Sequence, residues 1–214
     1  MRALVVTSPG SWVIDDVPDP EVRDDEVLLE IAACGLCGTD LHTISGDNPT
    51  VRLPITSGHE FVGRVSALGK DVTSLNVGDR VAVDPCRSCG VCRFCRSGHA
   101  NICGSKGGYG SKYPGGFAER VAVRATSCVR IPDQVPWAQA VLSEPLACVL
   151  NGVGKVPEVI GRSVLVMGGG PIGILAAVVL RKMGGAVTLT EPRTERRRLA
   201  SEMDLHALAP DEVS

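Results

Sequence analysis

Two styles of hydrophobic spacing divide the 214 residues. From Met1 to about Ala125, apolar residues come in short β-branched runs separated by Gly, Pro and Asp: Ala3 to Thr7, Val27 to Ala32, Phe61 to Ala67, Arg80 to Val83 and Phe117 to Val123. Runs of that length bounded by turn residues predict a small barrel-like all-β domain, with turns at Pro9-Gly10, Gly46-Asp47-Asn48-Pro49 and Gly78-Asp79. Between Trp137 and Val149, Ala, Gln, Leu and Cys displace the β-branched residues, which predicts a helical connector. After Gly161 the pattern changes: Ser163 to Met167 reads as a buried strand, Ile172 to Met183 as an apolar helix, and Ala186 to Thr190 as a second strand. This is a β-α-β unit, with at most a third strand near Ala207 to Ala209. The expected fold is β followed by α/β, with domains over 1–155 and 156–214.

The turn between that first strand and its helix carries Gly168-Gly169-Gly170-Pro171-Ile172-Gly173. A G-x-G-x-x-G string is weak evidence alone and gains force from its strand-turn-helix setting. Gly168 permits the tight turn, Gly170 lets backbone approach a pyrophosphate, and Gly173 lets the helix pack on the strand. Pro171 and Ile172 open the helix, whose N-terminal N–H groups would face the phosphates. Glu191 ends the second strand at the distance where an acid would accept hydrogen bonds from an adenosine ribose and repel a 2'-phosphate, so NAD is expected over NADP. Arg193, Arg196, Arg197 and Arg198 weigh the other way; interleaved with Glu195 and Glu202, they also read as a solvated helix face.

Composition narrows the partners. A formal charge of -2 and a pI near 6.1 offer no field for a phosphate backbone, so no nucleic-acid partner is expected. The longest apolar stretch, Ile172 to Leu180, falls short of the roughly 20 residues a membrane span needs, and the start at Met1 shows no signal peptide. A cytoplasmic protein without a membrane partner is the expectation. Nine cysteines in a reducing compartment then argue for metal ligands and buried thiols over disulfides.

Four of those cysteines, Cys89, Cys92, Cys95 and Cys103, are spaced C-x2-C-x2-C-x7-C. So dense a quartet can converge on one tetrahedral zinc, and four thiolates leave no position for substrate, so the site is structural. Cys86 extends the ladder toward an iron-sulfur pattern, but the ferredoxin spacing and its proline are missing. Cys86 is then a spare thiol, and Cys34 and Cys128 read as small buried residues of strands.

Three further segments contain metal-ligand types: Cys34 to His42, Gly58-His59-Glu60, and Ser143 to Cys148. Spacing alone does not join them, and a His beside a Glu is more often a surface pair. However, Gly58-His59-Glu60 with Gly63, Gly69 and Val72 resembles the zinc signature G-H-E-x2-G-x5-G-x2-V of medium-chain zinc-dependent alcohol dehydrogenases. Cys37-Gly38-Thr39-Asp40, Val77-Gly78-Asp79-Arg80-Val81, the four-cysteine lobe, Gly115-Gly116-Phe117-Ala118-Glu119 and the nucleotide fingerprint follow in that family's order. Glu144-Pro145-Leu146 is similar to the polyol and threonine dehydrogenase branch.

The resemblance implies a GroES-like β-barrel catalytic domain with a structural zinc lobe, then an incomplete Rossmann domain of the doubly wound parallel type. It implies Cys37 and His59 as catalytic-zinc ligands, with Glu60 or Glu144 as the carboxylate ligand, and two zincs per chain. Cys148, four residues past Glu144, is expected to be a buried thiol. Asp40 would accept the free N–H of His59, Thr39 would take the substrate proton, and His42 would pass it to solvent. Gly168, Gly170, Pro171, Ile172, Gly173, Glu191 and Arg196 would hold NAD. The implied activity is hydride transfer from a secondary alcohol, polyol or amino alcohol to NAD, by a homo-oligomer if full length. The family's remaining strands are not apparent before Ser214, so a C-terminally truncated member is expected. A second expectation is accordingly a zinc-binding fragment or interaction protein without turnover, with an exposed edge strand.

Overall fold

The computed structural model describes Met1–Val213, and the chain divides into two compact units, Met1–Glu144 and Pro145–Ser214. In the first, β1 (Arg2–Ser8) and β2 (Ser11–Asp16) form a hairpin at Pro9-Gly10, where Gly10 takes a φ of 76°. β3 (Glu26–Gly35) leads to helix α1 (Gly38–Ser45), followed by β4 (Ile55–Thr56), β5 (Glu60–Leu68) and β6 (Arg80–Val83). The lobe contains β7 (Cys86–Arg87), the short helix α2 (Arg93–Arg96) and β8 (Gly107–Gly108). β9 (Arg120–Arg124) and β10 (Cys128–Arg130) return to the barrel.

The main sheet is antiparallel in the order β10-β6-β5-β3-β9, and a second sheet runs β2-β1-β4. Leu4 N–H bonds the Phe117 carbonyl at 2.8 Å and stitches the second sheet to the approach of β9. Alternation along the strands sends Val27, Leu29, Val65, Val81, Val121 and Val123 into one core. Phe61 and Tyr109 meet edge to face within it, with centroids 6.2 Å apart. Cys34 and Cys128 are half-buried in their strands, and burial pushes both thiols up to about 12.

The expected connector helix is two helices, α3 (Trp137–Ala140) and α4 (Ser143–Val153). Pro145 has no N–H to give the preceding turn, so the helix must restart with it in the first turn. The buried face of α4 is Pro145, Val149 and Val153. Cys148 lies beside that stripe and is exposed, which corrects the expectation of a buried thiol.

In the second unit, β11 (Ser163–Met167), α5 (Pro171–Lys182), β12 (Ala186–Thr190), α6 (Thr194–Glu202) and β13 (His206–Leu208) form a parallel sheet in the order β11-β12-β13. Ile174 and Ala177 of α5, Ala200 of α6, Leu189 and Leu205 share a core. β11 is an edge, with Met167 83% exposed. Among the described residues no helix is long and apolar enough to cross a membrane.

Arg80, buried on β6, donates to the carbonyls of Pro132, Asp133 and Val135 and stacks 4.0 Å over the Trp137 ring. Arg80→Met should strand those acceptors and destabilise the first unit by roughly 2–4 kcal/mol, read as a lowered urea midpoint in Trp fluorescence.

Candidate metal centres and nucleotide turn

Cys37 sits where β3 has ended and α1 begins, in extended conformation at the helix N-cap. Asp40, in the first turn, returns its Oδ2 to the Cys37 N–H at 2.9 Å. Its Oδ1 accepts the Gly58 N–H at 3.0 Å and lies 3.7 Å from His59 Nδ1. Two segments distant in sequence are thereby tied together. Gly58 turns with a φ of 88°, a left-handed conformation that a side chain would resist, and aims His59 at Cys37. Glu60 opens β5 opposite Gly35 of β3. A Cβ on Gly35 would lie 2.3 Å from Glu60 Oε2, so the glycine makes the room the carboxylate occupies.

The result is a convergence of Cys37, His59 and Glu60, whose ligand atoms all lie within 4.8 Å of one another. One thiol, one imidazole and one carboxylate at that spacing fit zinc as a donor set. Hydrogen bonding to Asp40 outweighs burial and raises His59 to about 9. Burial pushes Asp40 up, but the His59 contact and the N–H groups of Cys37 and Gly58 hold it below its usual range. Thr39 Oγ1 is 3.7 Å from Cys37 Sγ. His42, three residues along α1, is exposed, with Nδ1 3.9 Å from Asp47. Glu144 lies in the first turn of α4.

In the lobe, Sγ atoms are 3.9 Å apart for Cys89 and Cys95, 3.5 Å for Cys92 and Cys95, and 3.6 Å for Cys103 and Cys89. A tetrahedron with Zn–S near 2.3 Å has S···S edges of about 3.8 Å, whereas a disulfide needs about 2.05 Å. The quartet thus fits a tetrahedral ion. The backbone N–H groups of Cys92 and Val91 pull the Cys89 thiol down to about 6. Cys86 is exposed, and burial of its sulfur together with Asp84 raises its thiol.

The glycine turn of the second unit behaves differently at each position. Gly168 has a φ of 102°, and a Cβ there would meet nothing. Gly170, the N-cap of α5, has open space up to Arg196 Nη1 at 3.9 Å. Gly173 is tightly packed, since its Cβ would stand 1.9 Å from the Gly168 carbonyl. Open space over Gly168 and Gly170, with the α5 N-terminus behind, fits a pyrophosphate. Pro171 and Ile172 supply the first residues of that helix. Glu191 is buried, and its oxygens accept the N–H groups of Gly169 at 2.8 Å and Arg193 at 2.9 Å, which lowers its carboxyl. Arg196 reaches within 3.7 Å of the same carboxylate. Arg197 instead caps the Glu191 and Pro192 carbonyls.

The model of the alcohol dehydrogenase GroES-like domain matches residues 23–133, more than half of the chain. The chain belongs to that family. Residues 138–210 match the C-terminal domain of alanine dehydrogenase/PNT. L-threonine 3-dehydrogenase of Legionella pneumophila is 38% identical over 95% of the chain and 61% of its own length. Sorbitol dehydrogenase of Halalkalibacterium halodurans is 39% identical over 93% and 59%. Galactitol-1-phosphate dehydrogenase from Escherichia coli superposes with a TM-score of 0.91 at 31% identity, over the whole chain and 62% of that structure. A chain from Sinorhizobium meliloti carrying NADP gives 0.93 at 35%, over the whole chain and 63% of that structure. The fold is accordingly a GroES-like domain followed by a partial Rossmann-like one, and the chain spans about three-fifths of the length of these relatives.

Cys37, His59 and Glu60 are marked as candidate ligands by residue type and motif, whereas the need for Gly35 becomes visible only once β3 and β5 are in register. Gly35→Ala should push the Glu60 carboxylate out of the convergence and weaken zinc uptake by the Cys37–His59–Glu60 group, measured by titration with zinc against the parent chain. Gly173→Ala meets backbone rather than a flexible side chain, so the turn must open; bound dinucleotide should be lost in calorimetry.

Proposed function

We propose that this chain is the metal-binding and dinucleotide-binding portion of a zinc-dependent dehydrogenase that oxidises a secondary alcohol, polyol or amino alcohol with NAD. The observation that carries the reading is the approach of Cys37, His59 and Glu60 within 4.8 Å on a scaffold whose relatives are threonine, sorbitol and galactitol-phosphate dehydrogenases. Residues 1–155 form the catalytic domain and 156–214 the opening of the nucleotide domain. When bound, zinc supplies Lewis acidity toward the alcohol oxygen and NAD accepts the hydride.

The chain's own residues do the rest. Cys37, His59 and either Glu60 or Glu144 hold the catalytic ion, while Asp40 fixes the orientation of the imidazole. The Thr39 hydroxyl, one helical position before Asp40, receives the substrate proton. His42, exposed one turn further on, hands it to water. Cys89, Cys92, Cys95 and Cys103 hold the second ion. Gly168, Gly170, Pro171, Ile172 and Gly173 cradle the pyrophosphate, with Glu191 and Arg196 beside the ribose. The two hydrogen bonds Glu191 already accepts leave lone pairs for ribose hydroxyls, and its charge favours NAD over NADP.

Metal-loaded chain with NAD and a panel of polyols and threonine should form NADH, and chelation should abolish it. A second reading, zinc binding without turnover, rests on the four-cysteine quartet, whose sulfurs fit one tetrahedral ion whatever the glycine turn binds. Calorimetry separates the two: micromolar NAD binding supports the dehydrogenase, and none at millimolar concentration supports the second.

The raised His59 sets a pH dependence. Zinc requires neutral imidazole, so below about pH 9 its uptake must release the proton that Asp40 helps retain. Apparent affinity at this site should climb with pH through about 9, and isothermal titration in buffers of different ionisation enthalpy should count the protons released by the imidazole and the thiol ligand together. In the metal-free chain the same pair contributes stability fully below pH 6.5, lost as pH rises through about 9. The Asp40 contribution is lost instead as pH falls below 3.8.

A further inference from the structure

The chain is nearly neutral overall, yet charge is segregated within its first unit. Six carboxylates stand between Asp15 and Asp25 against the single cation Arg23. From Pro85 to Ala118, across the cysteine lobe, there are five cations and no carboxylate. Arg87 is buried against Glu26, so the outward charge of the lobe is Arg93, Arg96, Lys106 and Lys112, all exposed. On the acidic side, Asp19, Asp24 and Asp25 are answered within the unit by Arg120, Lys70 and Arg124. Among the described residues no cation answers Asp15 or Asp16 at the end of β2: Asp16 stands opposite Arg2, and Arg2 bonds Glu119 at 3.2 Å.

The same two places expose large apolar side chains. Val91 and Ile102 of the lobe, and Trp12 and Ile14 of β2, are each more than half exposed. β2 is an edge strand, and an uncovered edge with apolar side chains invites a partner. Beside it, Ile14 lines a shallow groove of about 460 Å³ with Leu4, Ile31 and Phe117. Asp16 follows Ile14 by two residues and so shares its face of the strand. In the lobe, Arg93 follows Val91 by two residues and Arg96 ends the same short helix. One chain therefore has both halves of a complementary pair, an apolar groove with acids and apolar side chains with bases.

We propose that two copies of this chain associate reciprocally, the lobe of each seating Val91 and Ile102 in the groove beside the other's β2, with Arg93 and Arg96 against Asp15 and Asp16. Opposite charges at the rim fix register and steer the encounter, while the apolar centre supplies burial. A reciprocal contact uses both surfaces at once and closes after two copies, whereas an unrelated partner would account for only one of them. The contact does not rest on the dehydrogenase reading, since it shares no residue with the candidate ligand sets or the glycine turn.

The test is sedimentation velocity of the zinc-loaded chain at tens of micromolar, where a dimer is expected. Asp15→Lys with Asp16→Lys should give a monomer, and so should Arg93→Glu with Arg96→Glu, because like charges then face each other at both contacts. Zinc content and circular dichroism should match the parent in each. Mixing the two variants sets opposite charges against each other again and should restore the dimer, as should all four substitutions in one chain. A parent chain that stays monomeric, growth beyond two copies, a dimer that survives either reversal, or a mixture and a four-substitution chain that both stay monomeric would overturn the proposal.

Discussion

Asp40 is 1% exposed, and its two carboxylate oxygens hold the N–H groups of Cys37 and Gly58. Burying a carboxylate without partners is costly, so the main chain on both sides must come to it. One donor belongs to the turn that starts α1, the other to the turn that starts β5. With both in place, Cys37 and His59 face each other, and the same carboxylate flanks the imidazole at 3.7 Å. The acid therefore acts on the candidate centre twice, through backbone geometry and through the charge state of His59. Neither effect needs a metal to be established first, which makes the centre pre-formed.

The cysteine lobe rests on a different kind of support. Its helix α2 buries no residue, and Val91 is 76% exposed. So little apolar area contributes little to holding a loop of this length, and an ion shared by the four sulfurs, which their spacing fits, would supply the difference. β7 and β8 pair with each other within the lobe, and Arg87 of β7 fastens it to the barrel by running inward to Glu26 at the start of β3. A lobe with little burial of its own is thus fastened to a core that depends on burial.

Much of this was legible in the sequence where the physics is local. β6 and β12 follow their apolar runs residue for residue. The cysteine spacing and the glycine turn likewise encode their geometry within a few residues. β2 was not legible, because all six of its residues are exposed and show no alternation. Helix α1 has a weak apolar face; its signal was the reciprocal Cys37 and Asp40 cap. The break before α4 was written in Pro145, and Cys148 follows from which face of that helix is buried. The pairing of Glu26 with Arg87 spans 61 residues and leaves no periodicity to read.

Gly58 donates its N–H to Asp40, while its carbonyl accepts the N–H of Gly116 at 2.8 Å. A Cβ on Gly110 would fall 2.8 Å from that carbonyl oxygen, and one on Gly115 would fall 2.1 Å from it. Three stretches of main chain therefore cross with no side chain between them. The crossing behaves as a solid joint: it has no rotamers to sample, and a methyl group added to one stretch cannot be offset by trimming another. The His59 position is set by this crossing together with the buried Asp40 carboxylate, so drift in the other surrounding side chains can reshape the neighbouring surface while the candidate ligands stay where they are.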